Sequence, residues 1–249
     1  MIQQMCLLVF KKENDSEDVF TKWGATSGDP SRVVGVGSST QLGCIFRLLY
    51  LLGFVREVEA LLLKVDQSPS KSMQKAISPL VRALAADDLL RHIDADVKVA
   101  VASCITEITR ITAPEAPYSD DQMKDIFELI VAVFERLCDM SDRSYSKRVS
   151  ILHTVVKVQS CVVMLDLECD SLILEMFKHF LNTIRDFHPE GVFTSMKKIM
   201  SLVLEESEDI SHEILSLLLS ILKKDNQLRR GKKKEKKKPE KQEEGEESN

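Results

Sequence analysis

His212 and Glu213 stand together in Ser-His-Glu-Ile-Leu, which opens like the helix of a zinc protease. That chemistry needs a second histidine four residues after the first, and Ser216 occupies that place. Cys161 and Cys169 lie eight residues apart with only acids near them and fit no ligand spacing. Val33–Gln41, VVGVGSSTQ, has the glycines of a phosphate loop but lacks the Gly-Lys-Ser/Thr ending. Its Ser-Ser-Thr instead suits the cap of a helix starting near Gln41. The carboxylates Glu205, Glu206, Glu208 and Asp209 read as a solvated helix end. Nothing in this set pairs a nucleophile with a base or aims carboxylates into a pocket, so no catalysis, metal or cofactor is expected.

Two other stretches remain. Arg229 to Lys241 holds nine basic residues in thirteen. Arg229, Arg230, Lys232, Lys233, Lys234, Lys236, Lys237 and Lys238 form a candidate nuclear-import signal; the alternatives are a solubilising tail and nonspecific nucleic-acid contact. The second stretch is Ala113-Pro114-Glu115-Ala116-Pro117-Tyr118. A residue before proline is pushed out of the helical region, so Ala113 and Ala116 are held extended. Each proline fixes its own φ. The hexapeptide is therefore expected to be a short polyproline-like strut with accessible carbonyls, ending in the amphipathic ring of Tyr118. It is either a linker between helices or a recognition surface for another chain.

The elements that must position these residues are helical. Val97, Ala100, Val101, Cys104, Ile105, Ile108 and Ile111 recur at three-four spacing. So do Met123, Ile126, Phe127, Ile130, Val133, Phe134 and Leu137. Further stripes run from Leu172 to Ile184, from Val192 to Val203 and from Ile210 to Ile221. Ser119 with Gln122 predicts a capping box, and Asp120 and Asp121 suit the dipole of the helix that follows. No useful alternating stretch predicts a strand. Comparable helices begin near Asp96, Ser144 and Pro189, steps of 48 and 45 residues. That step is close to a HEAT-type repeat, in which helix pairs stack because none can bury its stripe alone. The expected fold is all-α, a HEAT-repeat-like solenoid of stacked antiparallel helix pairs over 41–227. A poorly ordered or irregular segment is expected at 1–40, where glycines and turn formers crowd, and a disordered basic-then-acidic tail at 228–249.

Composition limits the partners. The 249 residues carry a net charge of −5, and the tail's nine basic and six acidic residues leave −8 on 1–227. An acidic body does not predict sequence-specific nucleic-acid binding. The longest clean apolar run in the most apolar segment, Leu48–Val55, is far short of a membrane span. Six cysteines, at 6, 44, 104, 138, 161 and 169, form no C-x-x-C pair and read as reduced core thiols of an intracellular protein.

Taken whole, DVKVAVASCITEITRITAPEAPYSDDQMKDIF (96–127) resembles the amino-terminal HEAT region of the "precocious dissociation of sisters" cohesin regulators, of the plant type. The Ala-Pro-acid-Ala-Pro-Tyr stretch at 113–118 is that family's hallmark and matches at every position. Residues 67–92 and 144–192 look like the flanking segments, and the resemblance covers about 57 to 227. It implies a non-enzymatic scaffold, nuclear and chromatin-associated, on the cohesin complex. It implies binding to the kleisin subunit and to the wings-apart-like release factor, with roles in acetylation of the ring, sister chromatid cohesion, segregation and DNA repair. It also implies that Ala113 to Tyr118 dock short partner peptides. Family members are several times longer, and similarity stops near 56 and after Gln227, as expected of a truncated product or a mis-joined gene. An open end would expose Ile214, Leu218 and Ile221. The alternative to this reading is a generic helical-repeat adaptor in transport or signalling.

Overall fold

The computed structural model describes residues 39–184 and 188–235, with side chains for 48–184 and 188–223. Ten α-helices and two short 3-10 turns make up these residues, and no strand occurs among them. The helices are α1 (Ser39–Leu62), α2 (Lys71–Leu84), α3 (Asp87–Leu90), α4 (Ala95–Thr112) and α5 (Asp120–Phe134). They continue as α6 (Tyr145–Val158), α7 (Val163–Asp166), α8 (Asp170–Thr183), α9 (Glu190–Glu206) and α10 (His212–Glu235). The 3-10 turns lie at Glu135–Cys138 and Ser160–Val162.

The described residues up to Glu206 form one compact unit. In it α1, α4, α6 and α9 pack side by side as one layer, and α2, α3, α5 and α8 back them as a second. The stacked pairs expected from the sequence are present. The repeat step is visible as a spatial register. Ser144 Oγ donates to Asp96 Oδ1 at 2.8 Å across 48 residues, and Thr154 Oγ1 donates to Glu107 Oε1 at 3.2 Å across 47. Cys104 Sγ reaches the Val55 carbonyl at 3.5 Å, 49 residues away. Equivalent points on successive first-layer helices thus touch, which is what a solenoid repeat requires.

Helix α4 is the centre of this unit. Asp94 caps it, accepting from the N–H groups of Asp96 at 2.9 Å and Val97 at 3.1 Å. The sequence predicted one buried stripe, but Val99, Ala102, Ser103, Thr106 and Glu107 are buried as well. The reason is position: α1 and α6 flank α4 within its layer, and α5 lies behind it. Its threonines satisfy themselves locally. Thr106, Thr109 and Thr112 each donate to the carbonyl four residues back, at 3.0 Å. The second layer is joined by aromatic packing, with the Phe134 and Phe180 rings 5.4 Å apart and tilted by 45°.

The described residues from Ser207 to Glu235 form a separate unit, which includes α10. The tail was expected to leave helix at 228, yet the backbone stays helical to Glu235. Arg, Lys, Gln and Glu are good helix formers even without a core to join. The exposed leucines of α10 also differ from expectation. Ile214 is buried, Leu218 and Ile221 are half-buried, and Leu215, Leu219 and Leu222 are exposed. The open stripe lies one residue further round the helix than the periodicity implied. Residues 1–38, most of the segment expected to be irregular, and 236–249 lie outside the described residues. Among the described residues, no single helix is long and apolar enough to cross a membrane.

Candidate docking corner

The corner between α4 and α5 is built by the end of one helix and the cap of the next. Ala113 leaves the helical region at φ −51°, ψ 137°, while its N–H still donates to the Thr109 carbonyl at 2.9 Å. The Ala113–Pro114 peptide bond is cis. The N–H of Glu115 donates to the Thr112 carbonyl at 3.0 Å, closing a tight turn. The expected continuous strut is therefore a turn at its first proline: Ala113 is extended as the following proline demands, but the chain then folds back. At the far end Ser119 and Gln122 form the predicted capping box, with Ser119 N–H to Gln122 Oε1 at 3.2 Å and Gln122 N–H to Ser119 Oγ at 3.4 Å.

Pro114, Glu115 and Ala116 are exposed, and Ala113 and Pro117 are half-buried. Among the described residues the carbonyls of Pro114, Glu115 and Ala116 accept no internal hydrogen bond. Tyr118 corrects the sequence expectation. Its ring is buried, only 7% exposed, and its hydroxyl has no hydrogen-bond partner among the described residues. Burial, and to a lesser degree the nearby Cys104, push the phenol well above its ordinary range. Tyr118 anchors the corner from beneath, and the exposed turn lies beyond it. Its amphipathic ring next to a helix cap could face either way, and the apolar side prevailed.

A second loop, 63–70 between α1 and α2, is tied to this corner. Ser68 N–H donates to the Ile111 carbonyl at 3.0 Å, and Gln67 Nε2 donates to the Ala113 carbonyl at 3.3 Å. Ser68 sits at φ 59°. Arg110 fastens the base of the pair. Its Nη2 donates to the Val65 carbonyl at 2.8 Å and the Leu62 carbonyl at 3.3 Å, and its Nε to Glu107 Oε2 at 2.7 Å. Below, Glu59 accepts from Ser103 Oγ at 2.7 Å and pairs with Lys147. Sequence reasoning missed Gln67, Ser68 and Arg110 as parts of one site. A signal existed, since Gln67 precedes Ala113 by 46 residues, about one repeat step.

The rim is acidic. Asp66, Glu115, Asp120 and Asp121 are exposed, against Lys64 and Lys71. Free carbonyls plus carboxylates offer acceptors and negative charge, which suit a short segment bearing donors and cations.

The other sequence candidates fall elsewhere. Among the described residues no three metal-ligating side chains converge. Cys104, Cys161 and Cys169 are buried free thiols; burial raises all three, Cys161 to about 11. Cys138 is exposed, against the expectation of a core thiol, because it ends the 3-10 turn after α5. Of the import candidates, Arg229 to Lys234 lie on the helical backbone of α10, and Lys236, Lys237 and Lys238 lie outside the described residues.

Stacked helix pairs, a register of one repeat, and exposed turns tied together by hydrogen bonds between repeats define a helical-repeat scaffold. A solved chain of a Pds5–Scc1 complex superposes on it with a TM-score of 0.61 at 24% identity, covering 76% of this chain and 26% of that one. The family model for the sister chromatid cohesion protein PDS5 matches residues 51–243, and the chain belongs to that family. Homolog C of Arabidopsis thaliana is 61% identical over 178 residues, which are 72% of this chain and 20% of that protein. Homolog E of the same plant is 54% identical, covering 71% of this chain and 18% of the relative. Homolog A of Homo sapiens is 30% identical, covering 67% and 13%. The chain thus spans a fifth or less of the length of these relatives.

Proposed function

We propose that this chain is a non-enzymatic cohesin-associated scaffold that docks short partner segments on the corner 113–117. The observation that carries the reading is the turn at Pro114–Ala116, exposed, with free carbonyls and an acidic rim, over a buried anchor. Membership of a family named for sister chromatid cohesion supports cohesin as the assembly concerned. Within that reading the partners are the kleisin subunit and regulators such as the wings-apart-like release factor. The processes are cohesion, chromosome segregation and DNA repair. The basic run beginning at Arg229 supports import into the nucleus, where chromatin-bound cohesin resides.

The test is capture of kleisin-containing cohesin, read by immunoblot, with the wild-type chain and with Pro114→Ala/Pro117→Ala. Tyr118 is left intact because truncating a buried ring would unfold the corner. Loss of an interface anchor of about 2 kcal/mol weakens capture about 30-fold. If the variant has the circular dichroism and melting temperature of the wild type and captures kleisin equally well, the docking reading is wrong.

A further inference from the structure

The loop that closes on the corner reads Asp66-Gln67-Ser68-Pro69-Ser70-Lys71. A serine followed by proline, with a lysine at the third place after it, is the pattern read by proline-directed protein kinases. Proline supplies a fixed φ and no N–H to an apolar subsite, and the lysine pairs with an acidic one. The structure separates Ser68 from its neighbours. Asp66, Gln67, Ser68, Ser70, Lys71 and Ser72 are exposed. The hydroxyls of Ser70 and Ser72 bond each other at 2.9 Å, and Ser70 also caps α2 through Met73 N–H at 3.4 Å. Ser68 Oγ has no partner among the described residues, and only its backbone N–H is engaged, with the Ile111 carbonyl. The chain's other serine–proline step, Ser78–Pro79, lies inside α2 and has Val81 at the third place.

We propose that Ser68 is the acceptor for a proline-directed serine/threonine kinase, and that phosphate there releases the loop from the corner at Ala113–Ala116. In the transfer, Ser68 Oγ attacks the γ-phosphorus of a nucleoside triphosphate. The Oγ–P bond forms as the bond from that phosphorus to the β–γ bridging oxygen breaks. The nucleoside diphosphate leaves, and the hydroxyl proton passes to the kinase's carboxylate base. The product carries a charge of about −1.5 to −2 at pH 7. Beside it lie the Ile111 carbonyl, which accepts from the Ser68 N–H, and the Ala113 carbonyl, which accepts from the adjacent Gln67; the charged residues near it in sequence are Asp66, Lys64 and Lys71, all exposed. The phosphate also competes for the Ser68 N–H, because a charged acceptor bonds about twice as strongly as a carbonyl. Both effects loosen the tie that holds the two turns together. The consequence for a partner rests on the docking reading; the modification and the loosening do not.

The full chain is incubated with a purified cyclin-dependent kinase and ATP, and the sites are mapped by mass spectrometry. Phosphate is expected on Ser68 and absent from Ser78, and Pro69→Ala removes at least about nine-tenths of it. No phosphate on Ser68, or incorporation unchanged by Pro69→Ala, overturns the inference. In 1H–15N correlation spectra the amides of Ala113, Glu115 and Ala116 move on phosphorylation; amides that stay in place overturn the release. Kleisin capture unaffected by Pro114→Ala/Pro117→Ala would remove the docking reading alone, since the site map and the spectra involve no partner.

Discussion

Replacing Arg110 by methionine tests whether the corner is held by the bonds at its base. The substitution keeps an unbranched stem of similar volume and removes the guanidinium. Three hydrogen bonds go: one to Glu107 at 2.7 Å and two to the carbonyls of Val65 and Leu62 at 2.8 and 3.3 Å. The Glu107 side chain is 6% exposed and Arg110's is 14%, so the carboxylate is left buried with Thr154 Oγ1 at 3.2 Å as its remaining bond. Breaking a buried pair by removing one partner costs about 3–5 kcal/mol, and the partial exposure of Arg110 places this case near about 3 kcal/mol. Adding Glu107→Gln removes the stranded charge, so the double variant recovers about 1–2 kcal/mol relative to Arg110→Met. Urea unfolding followed at 222 nm measures both. Limited proteolysis reports the local effect, with faster cleavage in 63–70 before global unfolding. A loss under about 1 kcal/mol, or a double variant weaker than the single one, refutes the claim that Arg110 ties the two repeats together.

Tyr118→Phe deletes a buried hydroxyl that lacks a partner among the described residues, so it is expected to raise stability by about 1 kcal/mol, or about 2–4 °C in a thermal melt. The same variant changes the alkaline limb. The folded phenol is raised above its ordinary value of 10.0, so above pH 10 the unfolded chain releases a proton that the native chain keeps. Stability from this group is full below pH 10 and falls by about 1.4 kcal/mol per pH unit above it, a slope that Tyr118→Phe removes and that chemical unfolding at pH 10 and 11 reads. Ser119→Ala breaks the capping box and costs about 1 kcal/mol, measured by urea unfolding; an unchanged midpoint means the cap is replaced by solvent. Deleting 229–241 moves a fluorescent fusion, made large enough to exclude diffusion, from nucleus to cytoplasm; an unaltered distribution removes the import reading.

Periodicity carried the fold because a helix in a two-layer stack has one face that must be apolar, and that face repeats every three to four residues. The helices from Ala95, Tyr145 and Glu190 begin within a residue of the positions marked by Asp96, Ser144 and Pro189. The full burial of α4 was less legible, because Thr106 and Glu107 read as polar; Thr106 is satisfied inside its own helix, and Glu107 by Thr154 of α6, 47 residues away. Tyr118 was misplaced for a related reason. An aromatic next to a cap has no periodic neighbours to assign it a face, and only the packed structure decides. The turn at Pro114 escaped because two prolines argue locally for extended chain, whereas the Glu115 N–H to Thr112 bond depends on where the preceding helix ends. Gln67 and Ser68 were silent because loops carry no period of their own; their relation to Ala113 appears only when one repeat is laid on the next.

In the docking proposed for the corner, that relation would supply the rigidity recognition needs. The exposed turn at 114–116 has no core of its own, so its shape must be imposed from outside. Tyr118 fixes it from below, the Ser119 cap from one side, and the loop of the preceding repeat from the other through Gln67 and Ser68. These constraints leave the carbonyls of Pro114, Glu115 and Ala116 free while removing most of the freedom a partner would otherwise have to quench on binding. The arrangement also makes the site a property of two repeats. A change in the loop at 63–70 reaches the corner through the hydrogen bonds of Gln67 and Ser68, and a change at Arg110 reaches both turns at once. A Gln67→Ala substitution, distant in sequence from the prolines, should therefore weaken partner capture, and by less than Pro114→Ala/Pro117→Ala, because it removes one of the supports and leaves the turn in place. Capture by Gln67→Ala equal to the wild type would mean that the corner stands by itself and the preceding repeat is only a neighbour.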